Sequence, residues 1–241
     1  LFPEGNIVSK SRASKAAAWT LKADVLLWKA KVLKGTDADL QAALTALQQV
    51  ESTAGLTLLD NFASVFASNN KANAEIIFSV YFKKDERNDM YGSQLKPRDI
   101  FVQDAVNKAD IAAAKNGARS QYMPSPKLEA VFSNAADKRK NASYIKAIGA
   151  NNKVIGVFDN KFRGTKDTDW FYDSDIVIYR FAEIFLLKAE VLAALNRVPE
   201  AVTALNRTRT RAGIGAYAGN MDKTSVEKEI LDERFRELWL E

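Results

Sequence analysis

Leu21-Lys22-Ala23-Asp24-Val25-Leu26 reappears as Leu187-Lys188-Ala189-Glu190-Val191-Leu192, with a single Asp-to-Glu change. A second related string follows each copy: Ala43-Leu44-Thr45-Ala46-Leu47 after the first and Ala201-Val202-Thr203-Ala204-Leu205 after the second. Two strings recurring in the same order predict a repeated helix–turn–helix unit. In the second copy, Phe185, Ala189, Leu192, Ala201 and Leu205 alternate bulk with small residues at the spacings by which a tetratricopeptide-like pair brings two helices close. Asn196-Arg197-Val198-Pro199-Glu200 supplies the turn, with Pro199 in the first turn of the next helix, where its missing N–H is tolerated. In the first copy Trp19 takes the place of Phe185, and Gly35-Thr36-Asp37 makes a longer connection with Asp37 or Asp39 as N-cap. Tetratricopeptide arrays repeat about every 34 residues. These copies lie about 160 apart, so something large is inserted between them.

Outward from the copies, three parts emerge. Residues 9–53 read as a helix pair, followed by a short helix around residues 62–67 and an extended run at 75–82, Glu-Ile-Ile-Phe-Ser-Val-Tyr-Phe, which is β-branched and aromatic. Residues 83–175 have weak periodicity, contain Pro97, Pro124 and Pro126, and carry isolated aromatics; a long irregular stretch of this kind is usually functional. Residues 176–212 restore the helix pair, and Thr224-Ser225-Val226-Glu227 predicts a capping box for a last helix carrying Ile230, Leu231, Phe235, Leu238 and Trp239. The expected fold is mostly α: tetratricopeptide-like helix pairs in an α-α superhelical array with a large irregular, loop-rich insertion. It is read as one domain over 1–241, divided into 9–82, 83–175 and 176–241, with both helix pairs in one array because neither alone buries its apolar stripe. Trp19, Trp28 and Trp239 are expected to pack between helices.

The 241 residues contain no His and no Cys. Ser-His-Asp and Cys-His triads, imidazole or thiolate zinc sites, iron–sulfur clusters and disulfides are thereby excluded. Carboxylate, Lys or Tyr chemistry and oxygen-ligated cations remain, with binding the default and no cofactor called for. The net charge is +5, and residues 83–180, with 18 basic against 13 acidic side chains, hold the whole surplus. Only Lys138-Arg139-Lys140 is a basic cluster; acids are interleaved elsewhere, so a solvated surface is expected rather than a nucleic-acid face. No apolar run reaches the roughly 18–20 residues that span a bilayer. The first residues carry no start Met, and no helix stop follows Trp239-Leu240-Glu241, which predicts a piece of a longer protein.

Asp175-Ile176-Val177-Ile178-Tyr179-Arg180-Phe181-Ala182-Glu183-Ile184-Phe185-Leu186-Leu187-Lys188-Ala189-Glu190 resembles the hallmark segment of the SusD/RagB family, with its Arg-x-Ala-Glu-x-x-Leu-x-x-Ala-Glu pattern. Asn206-Arg207-Thr208-Arg209-Thr210-Arg211-Ala212-Gly213 and Ile230-Leu231-Asp232-Glu233-Arg234-Phe235-Arg236-Glu237-Leu238 resemble two further family strings, and Arg12-Ala13-Ser14-Lys15-Ala16-Ala17-Ala18 resembles the opening of its central helix pair. The resemblance covers both ends of the chain in the family's order and implies a fragment of about half a member. It implies an outer-membrane, surface-exposed nutrient-binding lipoprotein of Bacteroidetes-type bacteria. Such a protein captures oligosaccharide or polysaccharide, passes it to a SusC-like TonB-dependent transporter, and touches the membrane only through an N-terminal lipid anchor absent from this chain. It also implies no enzyme activity. Capture of a peptide, or a tetratricopeptide-type scaffold holding a protein partner, is the alternative.

Sugars stack their C–H faces on flat aromatics and present hydroxyls to planar polar groups. Asp167-Thr168-Asp169-Trp170-Phe171-Tyr172-Asp173 offers both, giving Trp170, Tyr172, Asp169 and Asp173 as candidate ligand contacts; Tyr91 with Gln94, and Arg119 with Tyr122, are weaker versions. Trp170 or Tyr172 is expected at the surface, with burial of one ring the competing reading. Asp167, Asp169, Asp173 and Asp175 lack the twelve-residue calcium-loop pattern, so no metal is assigned. The motif residues Arg180 with Glu183, and Glu233 with Arg236 or Glu237, are read as ion pairs that order the helices, with no catalytic role.

Overall fold

The Ser14 hydroxyl accepts the Ala17 N–H at 3.2 Å and starts α1 (Lys15–Val32) in the computed structural model, which describes Ile7, residues 9–84 and residues 91–241. Next comes α2 (Asp37–Glu51), whose N-cap is Thr36 rather than Asp37 or Asp39. Asp39 sits three residues on and reaches back, its Oδ2 accepting the Thr36 N–H at 2.9 Å, the second half of a capping box. The chain continues through α3 (Phe62–Val65), β1 (Ile76–Val80), α4 (Tyr91–Leu95), α5 (Pro126–Val131), α6 (Lys140–Ser143), β2 (Tyr144–Ile148) and β3 (Val154–Asp159). It ends with β4 (Thr165–Lys166), β5 (Trp170–Phe171), β6 (Ile176–Arg180), α7 (Phe181–Ala194), α8 (Val198–Ala212) and α9 (Lys223–Leu238).

These elements form two compact units. One comprises the described residues of Leu1–Asp60 with Ala72–Ser79 and Val177–Glu241; the other comprises Asn61–Lys71 and Val80–Ile176.

In the first unit, α1, α2, α7, α8 and α9 share one core, including Ala43, Leu47, Ile184, Leu187, Leu192, Ala201, Leu205 and Ile230. Ten of the 14 residues of α7 are buried against five of the 18 of α1, so α7 is central and α1 lies at the edge. Trp28 on α1 is 60% exposed, contrary to the expected packing, whereas Trp19 rests against the core. The second helix pair starts at Phe181 rather than 176: Ile176-Val177-Ile178-Tyr179 is β-branched and aromatic, and it forms β6, which pairs with β1. The last helix is capped by Asp222, whose Oδ1 accepts the Ser225 N–H at 2.9 Å, so the cap sits ahead of the expected Thr224.

The strand assignment changes the role of Arg180. It shares no helical face with Glu183; its side chain is fully buried, meeting Glu75 at 2.8 Å, Glu237 at 2.5 Å and Glu241 at 2.6 Å. Arg211 adds a contact to Glu75 at 3.3 Å and another to Glu237. Glu75 also accepts the Leu59 N–H at 2.9 Å. Charges taken out of water are tolerable only when paired and hydrogen-bonded in this way. Glu183 instead faces Arg234 at 3.6 Å, and burial pushes its carboxyl up to about 7 despite that guanidinium. Glu233 and Arg236 pair at 3.0 Å, as their spacing predicts.

In the second unit β2 and β3 are antiparallel, with Tyr144 opposite Asp159. Phe158 and Ala147 bury with Val102, Ala105, Ile111 and Ala113, while Phe62, Phe66 and Phe162 meet edge-to-face at 5.2 and 5.1 Å. Arg139 does not belong to a solvated cluster: its guanidinium is buried against Asp137 at 2.8 Å, and only Lys138 of the three basic residues is exposed. Lys96 and Asp159 form a second buried pair, where burial lowers the Lys96 ammonium below its usual range while Asp159 opposes that shift.

Candidate functional site

The chain leaving β3 turns at Gly164, whose φ of +73° favours glycine; a Cβ there would lie 1.9 Å from the Phe171 carbonyl oxygen. This close approach permits the β4–β5 pairing, with Thr165 opposite Phe171 and Lys166 opposite Trp170. Beneath it the Thr165 hydroxyl donates to the Asp173 carboxylate at 3.0 Å and lies 2.7 Å from the Ser68 hydroxyl. Trp170 is half-buried, with the Arg163 guanidinium 5.1 Å and the Lys166 ammonium 5.8 Å from its ring centre. Arg163 is itself held by the Asp110 carbonyl at 2.9 Å and by the Asn160 side-chain oxygen.

Around Trp170 opens a concavity of about 670 Å³. Its apolar wall includes Phe66, Ala63 and Ala67; its polar wall is made of Asn69, Asn141, Asn160, Ser68 and Thr165; its cations are Lys138, Lys161, Arg163 and Lys166. All of these residues lie in the second unit. Flat apolar surface beside planar amide and hydroxyl groups suits a sugar, whose faces are apolar and whose rim is hydroxylated. Lys161 is buried, its ammonium 4.7 Å from the Phe66 ring centre.

Of the residues expected to bind, Trp170 lines this concavity. Tyr172 turns inward: its hydroxyl is buried, its Cβ leaves no room for a side chain at Gly92, and burial drives its pKa well up. Asp169 serves the backbone, accepting the Lys115, Asn116 and Trp170 N–H groups at 3.2, 3.1 and 2.9 Å; burial opposes its charge, but these donors hold its carboxyl below the usual range. Asp173 is buried on Thr165. Gln94 and Arg119 belong to a backbone pairing in which Arg119 N–H donates to Ser93 at 2.7 Å and Gln121 N–H to Gln94 at 2.9 Å. Arg119 and Tyr122 are exposed and outside the lining, and the side chain of Tyr91 lies outside the described residues. The four aspartates have separate partners: Asp167 pairs with Lys84 at 2.9 Å and Asp175 with Lys71 at 3.1 Å, so they do not converge. Sequence reasoning missed Asn160, Arg163, Lys166 and Asn69; the one signal was Gly164 between two cations, Arg163-Gly164-Thr165-Lys166.

The first unit has a smaller concavity, about 250 Å³, among α2, α7 and α8. Its charges are already met, Lys188 by Glu51 at 2.6 Å and Arg197 by Glu200 at 2.5 Å, and Arg207 covers the Phe185 ring at 4.6 Å.

Residues 132–241 match the SusD family. The chain is 25% identical over 270 aligned residues to SusD-like protein P25 of Formosa agariphila, covering 99% of this chain and 49% of that protein. A SusD superfamily protein of Bacteroides fragilis superposes with a TM-score of 0.84 at 28% identity, over 95% of this chain and 52% of that one. NanU of B. fragilis does so at 0.84 and 28%, over 97% and 55%. Surface glycan-binding protein A of Bacteroides uniformis shares the fold at a TM-score of 0.74 and 19% identity, over 98% and 51%. The chain thus spans about half the length of the relatives it matches. The hallmark strings of α7, α8 and α9 occupy the matched region, and the chain is similar in sequence and fold to the SusD family, whose model covers its C-terminal 110 residues.

Proposed function

We propose that this chain belongs to a nutrient-binding protein that captures oligosaccharide or polysaccharide at the cell surface, without chemistry, and delivers it to a TonB-dependent outer-membrane transporter. In this reading the whole protein is held at the outer membrane by a lipid anchor. The observation that carries it is the concavity of the second unit, where the half-buried Trp170 stands beside Asn160, Asn141 and Asn69. Similarity to the SusD family supports the same class of function. The smaller concavity among the helices has its charges satisfied internally, which ranks a scaffold for peptide or protein partners second. The test is affinity electrophoresis through gels carrying a panel of polysaccharides. Trp170→Ala is expected to lose about 10- to 100-fold in affinity for whichever glycan retards the chain, with its melting temperature changed little. Equal retardation of both proteins by every glycan sinks the assignment.

A further inference from the structure

The lining of the Trp170 concavity is one-signed. Four cations contribute to it, and no carboxylate does among the described residues. Lys138 and Lys166 are exposed, and neither meets a carboxylate among the described residues. Arg163 is more telling. It is half-buried, yet its two hydrogen bonds go to a carbonyl and an amide oxygen, so among the described residues no carboxylate forms a salt bridge with it, and Asp110 and Asp159 act on its charge only from a distance. Elsewhere in the same unit buried cations are neutralised in place, Lys96 by Asp159 and Arg139 by Asp137. A guanidinium withdrawn from water is costly unless a counter-charge arrives; burial depresses the Arg163 pKa, and the charges of Asp110 and Asp159 oppose that shift without overcoming it. Planar guanidinium also suits bidentate binding of a carboxylate or sulfate. Three other aspartates of this region are engaged elsewhere, Asp159 by Lys96, Asp169 by backbone N–H groups and Asp173 by Thr165; Asp110 meets Arg163 through its backbone carbonyl.

We propose that the ligand of this concavity is an anionic glycan, in which a sugar ring lies by Trp170 and its carboxylate or sulfate is met by Arg163 and Lys166, with Lys138 a further cation of the lining. This rests on the reading of the concavity as the carbohydrate site. Uronic-acid and sulfated sugars share the chemistry that these cations recognise.

The test uses affinity gels and titrations with the same chain. Polygalacturonate and its fully methyl-esterified form make the carboxylate arm, a carrageenan and its desulfated product the sulfate arm, and dextran the neutral arm. Retention by the charged member of at least one pair and not by its uncharged counterpart is expected. It should weaken about three- to tenfold in Lys166→Gln and more in Arg163→Gln, and fall as NaCl is raised. Lys153→Gln, which removes an exposed charge outside the lining, is the control for general basicity and should retain binding. Equal weakening by Lys153→Gln and Lys166→Gln overturns the proposal in favour of nonspecific attraction. Retention by dextran or by the uncharged counterparts, lost in Trp170→Ala and indifferent to Lys166→Gln, keeps the carbohydrate site and overturns its charge preference. No retention by any polysaccharide overturns both readings.

Discussion

The two hexapeptide copies differ by one side-chain methylene, yet the structure treats them oppositely. Leu187 is 2% exposed and Val191 fully buried; their counterparts Leu21 and Val25 are 52% and 56% exposed. Ala23 and Ala189 are buried alike, since each is a small residue at which a neighbouring helix approaches. The difference comes from position: α7 is packed by α2, α8, α9 and α1, whereas α1 packs mainly on α2 and less on α7, meeting α9 at its end through the Lys31–Glu227 pair. A repeated string therefore specifies the helix and its close-contact position, while the fate of the remaining face is set by how many neighbours the array supplies.

The same substitution made in both copies breaks this comparison most sharply. Leu187→Ala should cost about 2–5 kcal/mol in urea unfolding, and Leu21→Ala less than about 0.5, because only the first leaves a cavity. Similar losses at both sites would mean that the exposed face of α1 is packed in solution.

A titratable group sharpens it next. Glu183 lies one turn before the second copy, and the corresponding position in α1 is Ala17. Its folded carboxyl titrates near 7 and its unfolded one near 4.5, so between those values the unfolded state releases a proton that the folded state keeps. Stability contributed by this group thus falls as pH rises from about 4.5 to about 7 and stays lost above. Glu183→Gln should match the parent near pH 4.5 and exceed it by about 1–2 kcal/mol at pH 8, measured as the difference in unfolding free energy. A parent and variant that track each other across that range would place the carboxyl in water.

The smallest effect tests the single difference between the copies. Glu190 reaches Arg234 at 3.1 Å, so Glu190→Asp should cost about 1 kcal/mol by withdrawing the carboxylate. Asp24→Glu should stay within about 0.5 kcal/mol, and a thermal scan of both reads the contrast.

Much of the array was legible because its signals are local: small residues at fixed spacing, Pro199 at a helix start, and the aromatic and β-branched run that became β1. Ile176 to Arg180 was misread because strand and helix compete over so short a run, and only the distant partner β1 decides between them. The candidate site was less legible still. Trp170 stood out as an aromatic among acids, but those acids proved to cap backbone and neighbouring side chains. The cations beside it come from segments near residues 138 and 160–166, which no periodicity joins to residues 66–69. Tyr172 was indistinguishable from Trp170 in sequence, and the glycine that accommodates it, Gly92, is 80 residues away.

The pairing of β1 with β6 has a consequence for exchange of parts. These strands stand where residues 81–175 leave and rejoin the helical unit, and the Arg180 cluster ties the same two stretches together through Glu75. With the junction secured by its own hydrogen bonds and ion pairs, the length of the intervening chain enters the helical unit's stability mainly as loop-closure entropy. That term grows by only about 0.6 kcal/mol for each doubling. On that account, lengthening the chain between β1 and β6 at an exposed point is expected to cost the helical unit little stability.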